Sequence, residues 1–474
     1  MENPSLLGML SKQVGVSPAA LSLLLSIFAG YPLSIIHRKF FYGKPAHIQH
    51  LYFIVTGLGI GYLNYGTEIL HAVFAVVFSY LTMVVFRGNE ICVAITFFFN
   101  MIYLLIGYYY SSTLNYDINW TMPQCVLVLR LIGTAFDYYD GNQPEGELSA
   151  TSKKLALTKR PSFGEYCGLM FFPGSFLVGP QFPMRRYQDF VAGKFSSTEG
   201  KPPNCIDPAL KRLGLGVMYL AIFQVVGIFV NDDFILSESF VEMSFIKRYF
   251  LIGVWGRIAL YKYISCWLIT EGACIMFGVT HNGKDEAGNI KWDGLANVDI
   301  VRFETATEFN HYIQSFNINT NHWVAQYVYK RLKFLGNRHL SQGSALLFLA
   351  IWHGFHSGYY TCFIFEFMVM YMEKDWQGIL KKNPHVAAIF QKKPMDTLSY
   401  IALRIYTFGF MGWCMIPFAL LTFSKYWQAY GAVNYMGIVL FLMWPIVYSP
   451  IIKIIAKATR PKETTSQVAR EHAE

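Results

Sequence analysis

Apolar runs recur along the chain, and each has about the length of a helix that crosses a membrane. The first four cover about 19–36, 50–65, 69–86 and 91–110, and polar or basic residues separate them. The later runs cover 124–139, 211–232, 250–279, 398–423 and 433–455. A run of about 20 apolar residues predicts a transmembrane helix, whereas a membrane barrel shows shorter, alternating segments. The pattern therefore predicts an all-α, polytopic membrane protein with about ten to twelve crossings.

The first run is longer than the apolar core of a typical signal peptide, and it leads directly into His37, Arg38 and Lys39. Basic residues concentrate on the cytosolic side of membrane helices. We therefore predict an uncleaved first span with a cytosolic carboxyl end.

The segment 171–190 is apolar but cannot form one regular helix. It contains Pro173, Gly174, Gly179, Pro180 and Pro183, which should interrupt helical hydrogen bonding. A broken backbone at membrane depth is tolerated only where protein or a water-filled cavity covers it. We expect this segment to be covered in that way.

The run 341–372 is apolar and aromatic, yet WHGFH at 352–356 lies inside it. As one continuous helix, it would place His353 and His356 on the same face. An ionisable side chain within a membrane suggests a functional site by default. The alternative is a structural histidine that bonds to a neighbouring helix.

Three asparagines lie upstream of this run, at Asn317, Asn319 and Asn321. An asparagine amide can polarise a carbonyl group, and it can also cap a helix. The alternative interpretation is therefore a cap for a helix predicted over 323–335. Lys330, Arg331 and Lys333 make the end of that helix basic.

The run 250–279 carries Arg257, Tyr261, Lys262 and Glu271 among apolar residues. Internal ion pairs would explain these polar side chains, and so would the wall of a substrate tunnel. The sequence leaves both interpretations open.

The composition agrees with a membrane protein, since 54% of the 474 residues are hydrophobic and 15% are charged. Soluble domains carry about 25% charged residues. The net charge of +9 predicts attraction to anionic headgroups or to a polyanionic ligand. We predict no nucleic-acid partner, because no basic and aromatic platform stands on a soluble domain. The eight cysteines form no CxxC pair, and we predict no metal site.

Sequence signatures of serine hydrolases, phosphate-binding loops, dinucleotide-binding folds and zinc proteases are absent from the chain. A buried histidine, an asparagine and basic loops instead suit acyl transfer from a carrier thioester to a hydroxyl. The histidine would accept the hydroxyl proton, and an asparagine would donate to the developing oxyanion. Basic residues at the cytosolic face would bind the phosphates of the carrier.

The motif WHGFHSGYY at 352–360, with FNINT at 316–320, resembles the membrane-bound O-acyltransferase (MBOAT) family, and in particular its lysophospholipid acyltransferase branch. FLVGP at 176–180 and FDYYDG at 136–141 support the resemblance. The resemblance implies one integral-membrane domain over 1–474, with helices around a central reaction chamber. It also implies a catalytic core at about 124–372 and a polar tail at about 456–474.

By the same resemblance, His353 is the expected catalytic base and Asn317 its partner. The remaining candidates are substrate-binding residues: Trp352, His356, Tyr359, Arg257, Tyr261, Lys330 and Arg331. We expect no cofactor, with acyl-CoA as the co-substrate.

The resemblance implies a multi-pass protein of the endoplasmic reticulum membrane. Its expected reaction is transfer of a fatty acyl group, often polyunsaturated, to the sn-2 hydroxyl of a lysophospholipid. The expected acceptor is chiefly lysophosphatidylcholine, with lysophosphatidylserine and lysophosphatidylethanolamine as further acceptors. Membrane lipid is a further partner, and a homo-oligomer is compatible with the sequence.

Two alternatives remain open. Another member of the same family would acylate a sterol, a diacylglycerol or a protein. A transporter that relays protons through an intramembrane histidine belongs to a different class, and such a protein would be expected to show inverted repeats.

Overall fold

A computed structural model describes residues 6–115 and 117–459 of the protein. Within these residues the regular structure is helical, and the only β pairing consists of two isolated bridges, Lys284 with Ile290 and Val298 with Phe316. The fold is therefore all-α, as the apolar pattern predicts.

The amino-terminal part forms seven α-helices whose longer members coincide with the predicted runs, together with one π-helical and one 3₁₀ segment. They are α1 (Leu6–Val14), α2 (Pro18–Phe28), α3 (Gly30–Ile36), the π segment His37–Phe41, α4 (Ala46–Tyr65), the 3₁₀ segment Gly66–Glu68, α5 (Ile69–Phe86), α6 (Glu90–Ser111) and α7 (Thr121–Asp140).

The middle part alternates short helices with two long ones. They are the 3₁₀ segment Glu145–Glu147, α8 (Ala150–Leu155), α9 (Phe163–Met170), α10 (Met184–Val191), α11 (Ile206–Gly227), α12 (Asp232–Ile235), α13 (Glu238–Val241), α14 (Phe245–Phe277), α15 (Ile300–Glu304), α16 (Phe309–Ser315), α17 (Ile318–Val324), the π segment Ala325–Tyr329 and the 3₁₀ segment Lys330–Leu335.

The carboxyl-terminal part completes the bundle. It contains α18 (Arg338–His353), α19 (Ser357–Lys382), α20 (Pro384–Gln391), α21 (Met395–Leu420), α22 (Phe423–Ala432), α23 (Met436–Met443), the π segment Trp444–Tyr448 and α24 (Ser449–Ala458). Most of the predicted polar tail, from residue 460 onward, lies outside the described residues.

Six helical segments among the described residues are long and apolar enough to cross a membrane. They are Pro18–Phe41, Ala46–Phe86, Glu90–Ser111, Ile206–Gly227, Met395–Leu420 and Met436–Ala458. The second of them contains both α4 and α5, each close to the length of one span. The predicted number of ten to twelve crossings stays a prediction. To reach it, helices that carry charged side chains, such as α14, would also have to cross the membrane.

The prediction of one continuous helix over 341–372 is wrong. The helix ends at His353, and a new one begins at Ser357. Gly354 has φ of 118°, which L side chains rarely adopt, and a Cβ atom there would come within 3.3 Å of the Tyr108 ring. His353 is therefore the last residue of α18, while His356 precedes α19. The two imidazoles do not share a helix face.

The helix predicted over 323–335 also differs in the structure. The α-helical part, α17, begins at Ile318 and ends at Val324, and the chain then passes through the π and 3₁₀ segments. Trp323 fixes this region against α7, because its Nε1 donates a hydrogen bond to the Leu129 carbonyl at 2.8 Å.

The predicted break in 171–190 is confirmed, since α9 ends at Met170 and α10 begins at Met184. Arg130 of α7 is buried beside the broken backbone. Its guanidinium donates to the Leu169 carbonyl at 3.0 Å and to the carbonyl and hydroxyl of Ser175, both at 2.6 Å. A cationic side chain thus adds a donor to carbonyl groups of the broken segment, which also accept backbone hydrogen bonds from the Phe172 and Gly179 N–H groups.

The long helix α14 forms the centre of the bundle, where it packs against α11 and α21. The closest approach to α21 is between two glycines, since a Cβ atom on Gly256 would lie 2.3 Å from the Gly412 Cα atom. Small residues allow membrane helices to pack this closely. Another part of α14 borders the site described below.

Candidate active site

His353 ends α18 inside a cage of aromatic rings. The centroid of its ring lies 4.8 Å from that of Trp352, 5.3 Å from Tyr359, 5.7 Å from Phe363 and 5.0 Å from Phe418. These rings come from α18, α19 and α21, so the break at Gly354 lets three helices surround one imidazole.

Asn317 immediately precedes α17 and adopts a left-handed conformation, with φ of 50°. Its side chain makes no capping hydrogen bond to that helix. Instead, its Oδ1 accepts a hydrogen bond from Asn297 Nδ2 at 3.3 Å. The capping alternative therefore does not describe Asn317, and its own NH₂ group stays available as a donor.

The other two asparagines of the cluster bond to the protein backbone. Asn319 Nδ2 donates to the Leu295 and Ala296 carbonyls, both at 3.2 Å. Asn321 Nδ2 donates to the Ile313 carbonyl at 2.8 Å and to the Phe316 carbonyl at 3.0 Å. These two amides hold the local chain in place.

Two cavities meet at the predicted catalytic residues. The larger has a volume of about 570 Å³ and the smaller about 190 Å³. Five residues border both: Tyr263, Trp267, Asn317, His353 and Phe418. The two cavities therefore form a branched chamber with the histidine and the asparagine at the junction.

The larger cavity also receives three of the predicted substrate-binding residues, Trp352, His356 and Tyr359. Trp352 is held in place, because its Nε1 donates to the Cys125 carbonyl at 2.9 Å and its carbonyl accepts from Tyr108 Oη at 3.1 Å. Part of the broken segment, residues 177–181, forms another portion of the wall.

The smaller cavity is mainly apolar. Its border includes Phe316, Leu349 of α18, Phe363 of α19 and Met411 of α21, and it contains one carboxylic acid, Glu366. A hydrocarbon chain fits such surroundings, because an apolar group gains free energy when it leaves water.

Arg257 and Tyr261 border neither cavity. Arg257 pairs with Glu304 at 2.5 Å, and its Nη2 donates to Tyr312 Oη at 3.0 Å. Tyr261 Oη donates to Glu304 Oε1 at 2.8 Å. The structure places both residues in an internal ion-pair network, the first of the two interpretations given for this run.

Lys330 and Arg331 also lie away from both cavities. Arg331 forms an ion pair with the buried Asp140 at 2.6 Å. Lys330 Nζ donates to Gln326 Oε1 at 2.9 Å. The Arg331 contact joins the segment after α17 to the end of α7, whereas this Lys330 contact lies within the segment. Neither side chain brings a charge to the two cavities.

Sequence reasoning did not identify Asn297 and did not select Lys262 among the charged residues of its run. Asn297 lies in the long polar insertion, and both residues border the larger cavity. Lys262 is polar within an apolar helix, which is a usable signal. Asn297 has no such signal, because its role depends on a contact with Asn317.

The arrangement can support proton transfer beside a polarised carbonyl. An imidazole and an amide donor border one chamber, and the chamber offers both a polar and an apolar branch. Among the described residues, no group of three or more histidine, cysteine or carboxylate side chains has the geometry to hold a metal ion.

The chain is similar to a known protein family and to several known proteins. The model of the membrane-bound O-acyltransferase family matches residues 105–416, which include the predicted core at 124–372. The chain is 45% identical over 442 residues to lysophospholipid acyltransferase 5 of Drosophila melanogaster, covering 92% of this chain and 88% of that protein.

Two mammalian relatives match to a similar extent. Lysophospholipid acyltransferase 5 of Mus musculus is 43% identical over 436 residues, and that of Homo sapiens is 42% identical over 436 residues. Each match covers 92% of this chain and 90% of the relative. With the family match and the apolar helices, these likenesses establish that the chain belongs to the membrane-bound O-acyltransferase family and is a multi-pass membrane acyltransferase.

Proposed function

We propose that the protein transfers a fatty acyl group from acyl-CoA to the free hydroxyl of a lysophospholipid. The observation that carries this proposal is that Asn317 and His353 border the same two cavities. One hydroxyl and one thioester can then meet at a single imidazole. The names of the similar proteins support a lysophospholipid as the acceptor.

In the proposed reaction, His353 accepts the proton of the acceptor hydroxyl while its oxygen attacks the thioester carbonyl. The carbonyl oxygen becomes an oxyanion, and the NH₂ group of Asn317 donates a hydrogen bond to it. The C–S bond then breaks, and the thiolate takes the proton back from His353. The products are a diacyl phospholipid and CoA with a free thiol.

The two branches of the chamber suit two unlike substrates. The apolar smaller cavity, bordered by Leu349 and Phe363, fits the part of the acyl chain next to the thioester. The larger cavity holds more polar side chains and fits the glycerol and headgroup of the acceptor. Because the CoA moiety carries phosphates, it stays outside the hydrocarbon region.

The finer assignments rest on the sequence resemblance. We propose lysophosphatidylcholine as the chief acceptor and the sn-2 hydroxyl as the site of acylation, with lysophosphatidylserine and lysophosphatidylethanolamine as further acceptors. We propose polyunsaturated acyl-CoA as a donor, no cofactor, and the endoplasmic reticulum membrane as the location.

The test uses the full chain, purified in lipid nanodiscs and supplied with acyl-CoA and one lysophospholipid at a time. We expect release of free CoA thiol only when a lysophospholipid is present, with matching diacyl product by mass spectrometry. Thiol release that depends instead on a sterol or a diacylglycerol would contradict the acceptor class. Absence of thiol release with every lysophospholipid would contradict the proposed acceptor and favour another acceptor of the same family, such as a protein.

A further inference from the structure

Lys262 is the only lysine or arginine among the described residues that border the larger cavity. It lies on α14, and its Nζ is 4.8 Å from the centroid of the Tyr263 ring. Tyr263 borders both cavities, as Asn317 and His353 do. The ammonium group therefore lies beside a residue that borders both cavities.

Two other charged residues of α14, Arg257 and Glu271, form ion pairs. Arg257 pairs with Glu304, and Glu271 pairs with Arg212 at 3.0 Å. Neither Arg257 nor Glu271 borders the larger cavity, whereas Lys262 does. A charge placed at the wall of a chamber within a membrane protein is costly, and such positions mark substrate sites.

One carboxylate also borders the larger cavity, that of Asp117, but it belongs to its own turn. Its Oδ2 accepts from the Thr113 backbone N–H at 2.6 Å, and its Oδ1 accepts from the Thr113 hydroxyl at 2.9 Å. The rest of the wall consists of apolar and neutral polar side chains, among them Gln224 of α11. Lys262 is the positively charged side chain that the described wall of this cavity presents to an anionic group on a ligand.

We propose that Lys262 binds the phosphate of the lysophospholipid acceptor and thereby determines acceptor specificity. This inference rests on the proposed function. A lysine acts as a point charge for phosphate, and the phosphodiester of a lysophospholipid carries a single negative charge. CoA carries several phosphate charges, for which a single lysine is a poor match.

The geometry of the acceptor agrees with this assignment. Only a short stretch of glycerol separates the sn-2 hydroxyl from the phosphate. A lysophospholipid with its hydroxyl at His353 therefore needs its phosphate close to the same junction. Lys262 anchors the phosphate, and the Gln224 amide offers a neutral hydrogen-bond donor in the wall of the same cavity.

The test compares Lys262→Met with Lys262→Arg and with a matched control, Lys247→Met. Lys247 lies near the start of α14, is exposed and borders neither cavity. Initial rates in nanodiscs give KM separately for lysophosphatidylcholine and for acyl-CoA. A second acceptor, 1-acylglycerol, carries the same hydroxyl without a phosphate.

For Lys262→Met we expect KM for lysophosphatidylcholine to rise about tenfold or more, because a charged hydrogen bond is lost. The KM for acyl-CoA should change by less than about twofold, and the preference for lysophosphatidylcholine over 1-acylglycerol should fall about tenfold. Lys262→Arg should keep most of the preference, since the charge remains. Lys247→Met should behave like the wild type.

Two results would overturn the inference while leaving the proposed function intact. A rise in KM for acyl-CoA alone would assign Lys262 to the phosphates of CoA. An unchanged preference for lysophosphatidylcholine over 1-acylglycerol would show that Lys262 does not determine acceptor specificity. If Lys262→Met does not yield monodisperse protein, Lys262→Gln takes its place with the same expectations. Failure of the wild-type protein to acylate any lysophospholipid would instead contradict the proposed function itself.

Discussion

Asn297 Nδ2 donates a hydrogen bond to Asn317 Oδ1 at 3.3 Å. The backbone carbonyl of Asn297 accepts a second hydrogen bond from this region, from the Ile318 N–H at 3.1 Å. Its Oδ1 also accepts from the Asn319 N–H at 3.0 Å. Asn297 therefore orients the Asn317 amide so that its NH₂ group, rather than its oxygen, is available as the donor in the proposed reaction.

Asn297→Asp tests this orientation. The aspartate can still accept from Asn319, but it cannot donate to Asn317 Oδ1. We expect kcat to fall about tenfold or more, with little change in KM for either substrate, because the oxyanion donor loses its alignment.

Asn297→Ala removes the hydrogen bond to Asn317 Oδ1 and also the acceptor of the Asn319 N–H. It should therefore in addition reduce the free energy of unfolding by about 1–3 kcal/mol. Kinetics and thermal unfolding of the two variants separate these effects. Equal kcat for Asn297→Asp and the wild type would contradict the orienting role.

His353→Ala should reduce kcat by about 10²- to 10⁴-fold, because a general base contributes about that much to the rate. Expression and monodispersity in detergent should stay close to those of the wild type. His356→Ala is the matched control, since His356 borders the larger cavity only. A His353→Ala variant that keeps more than a few per cent of the wild-type turnover would exclude His353 as the base.

Asn317→Ala should lower kcat by about 10²- to 10³-fold, as expected for loss of an oxyanion donor. The KM for the lysophospholipid should change far less. Asn321→Ala is the comparison. Asn321 borders the smaller cavity, but its amide donates to the Ile313 and Phe316 carbonyls, so its loss should mainly reduce thermal stability. If Asn321→Ala shows the larger loss of kcat at equal stability, Asn317 is not the oxyanion donor.

Arg130→Met should destabilise the wall of the chamber. It removes the charged donor from the carbonyls of Leu169 and Ser175, which keep backbone donors, and a hydrogen bond to a charged group contributes about 1.5–3 kcal/mol. We expect a lower Tm in detergent and a loss of turnover at temperatures where the wild type is active.

Arg130→Lys keeps the charge but cannot reach several carbonyls at once, so its Tm should lie between those of Arg130→Met and the wild type. A Tm equal to that of the wild type for both variants would show that the broken segment does not depend on this residue.

Much of the fold followed from local sequence features. Apolar runs of membrane length predicted the long helices, because burying apolar surface in a bilayer depends on composition and length. Prolines and glycines predicted the broken segment at 171–190, since they interrupt helical hydrogen bonding wherever they occur. The pairing of Asn317 with His353 came from the motifs through the family resemblance, and the structure brings both residues to one chamber.

The tertiary structure decided the features that depend on contacts between distant parts of the chain. The Tyr108 ring lies beside the helix break at Gly354, and Arg130 donates to the backbone of the broken segment. Arg257 and Lys262 look alike in sequence, but only folding places Glu304 beside the first and a cavity beside the second. The neighbours of a charged side chain in space decide whether it forms an ion pair or borders a cavity. The spacing of apolar residues along the sequence carries no information about those neighbours.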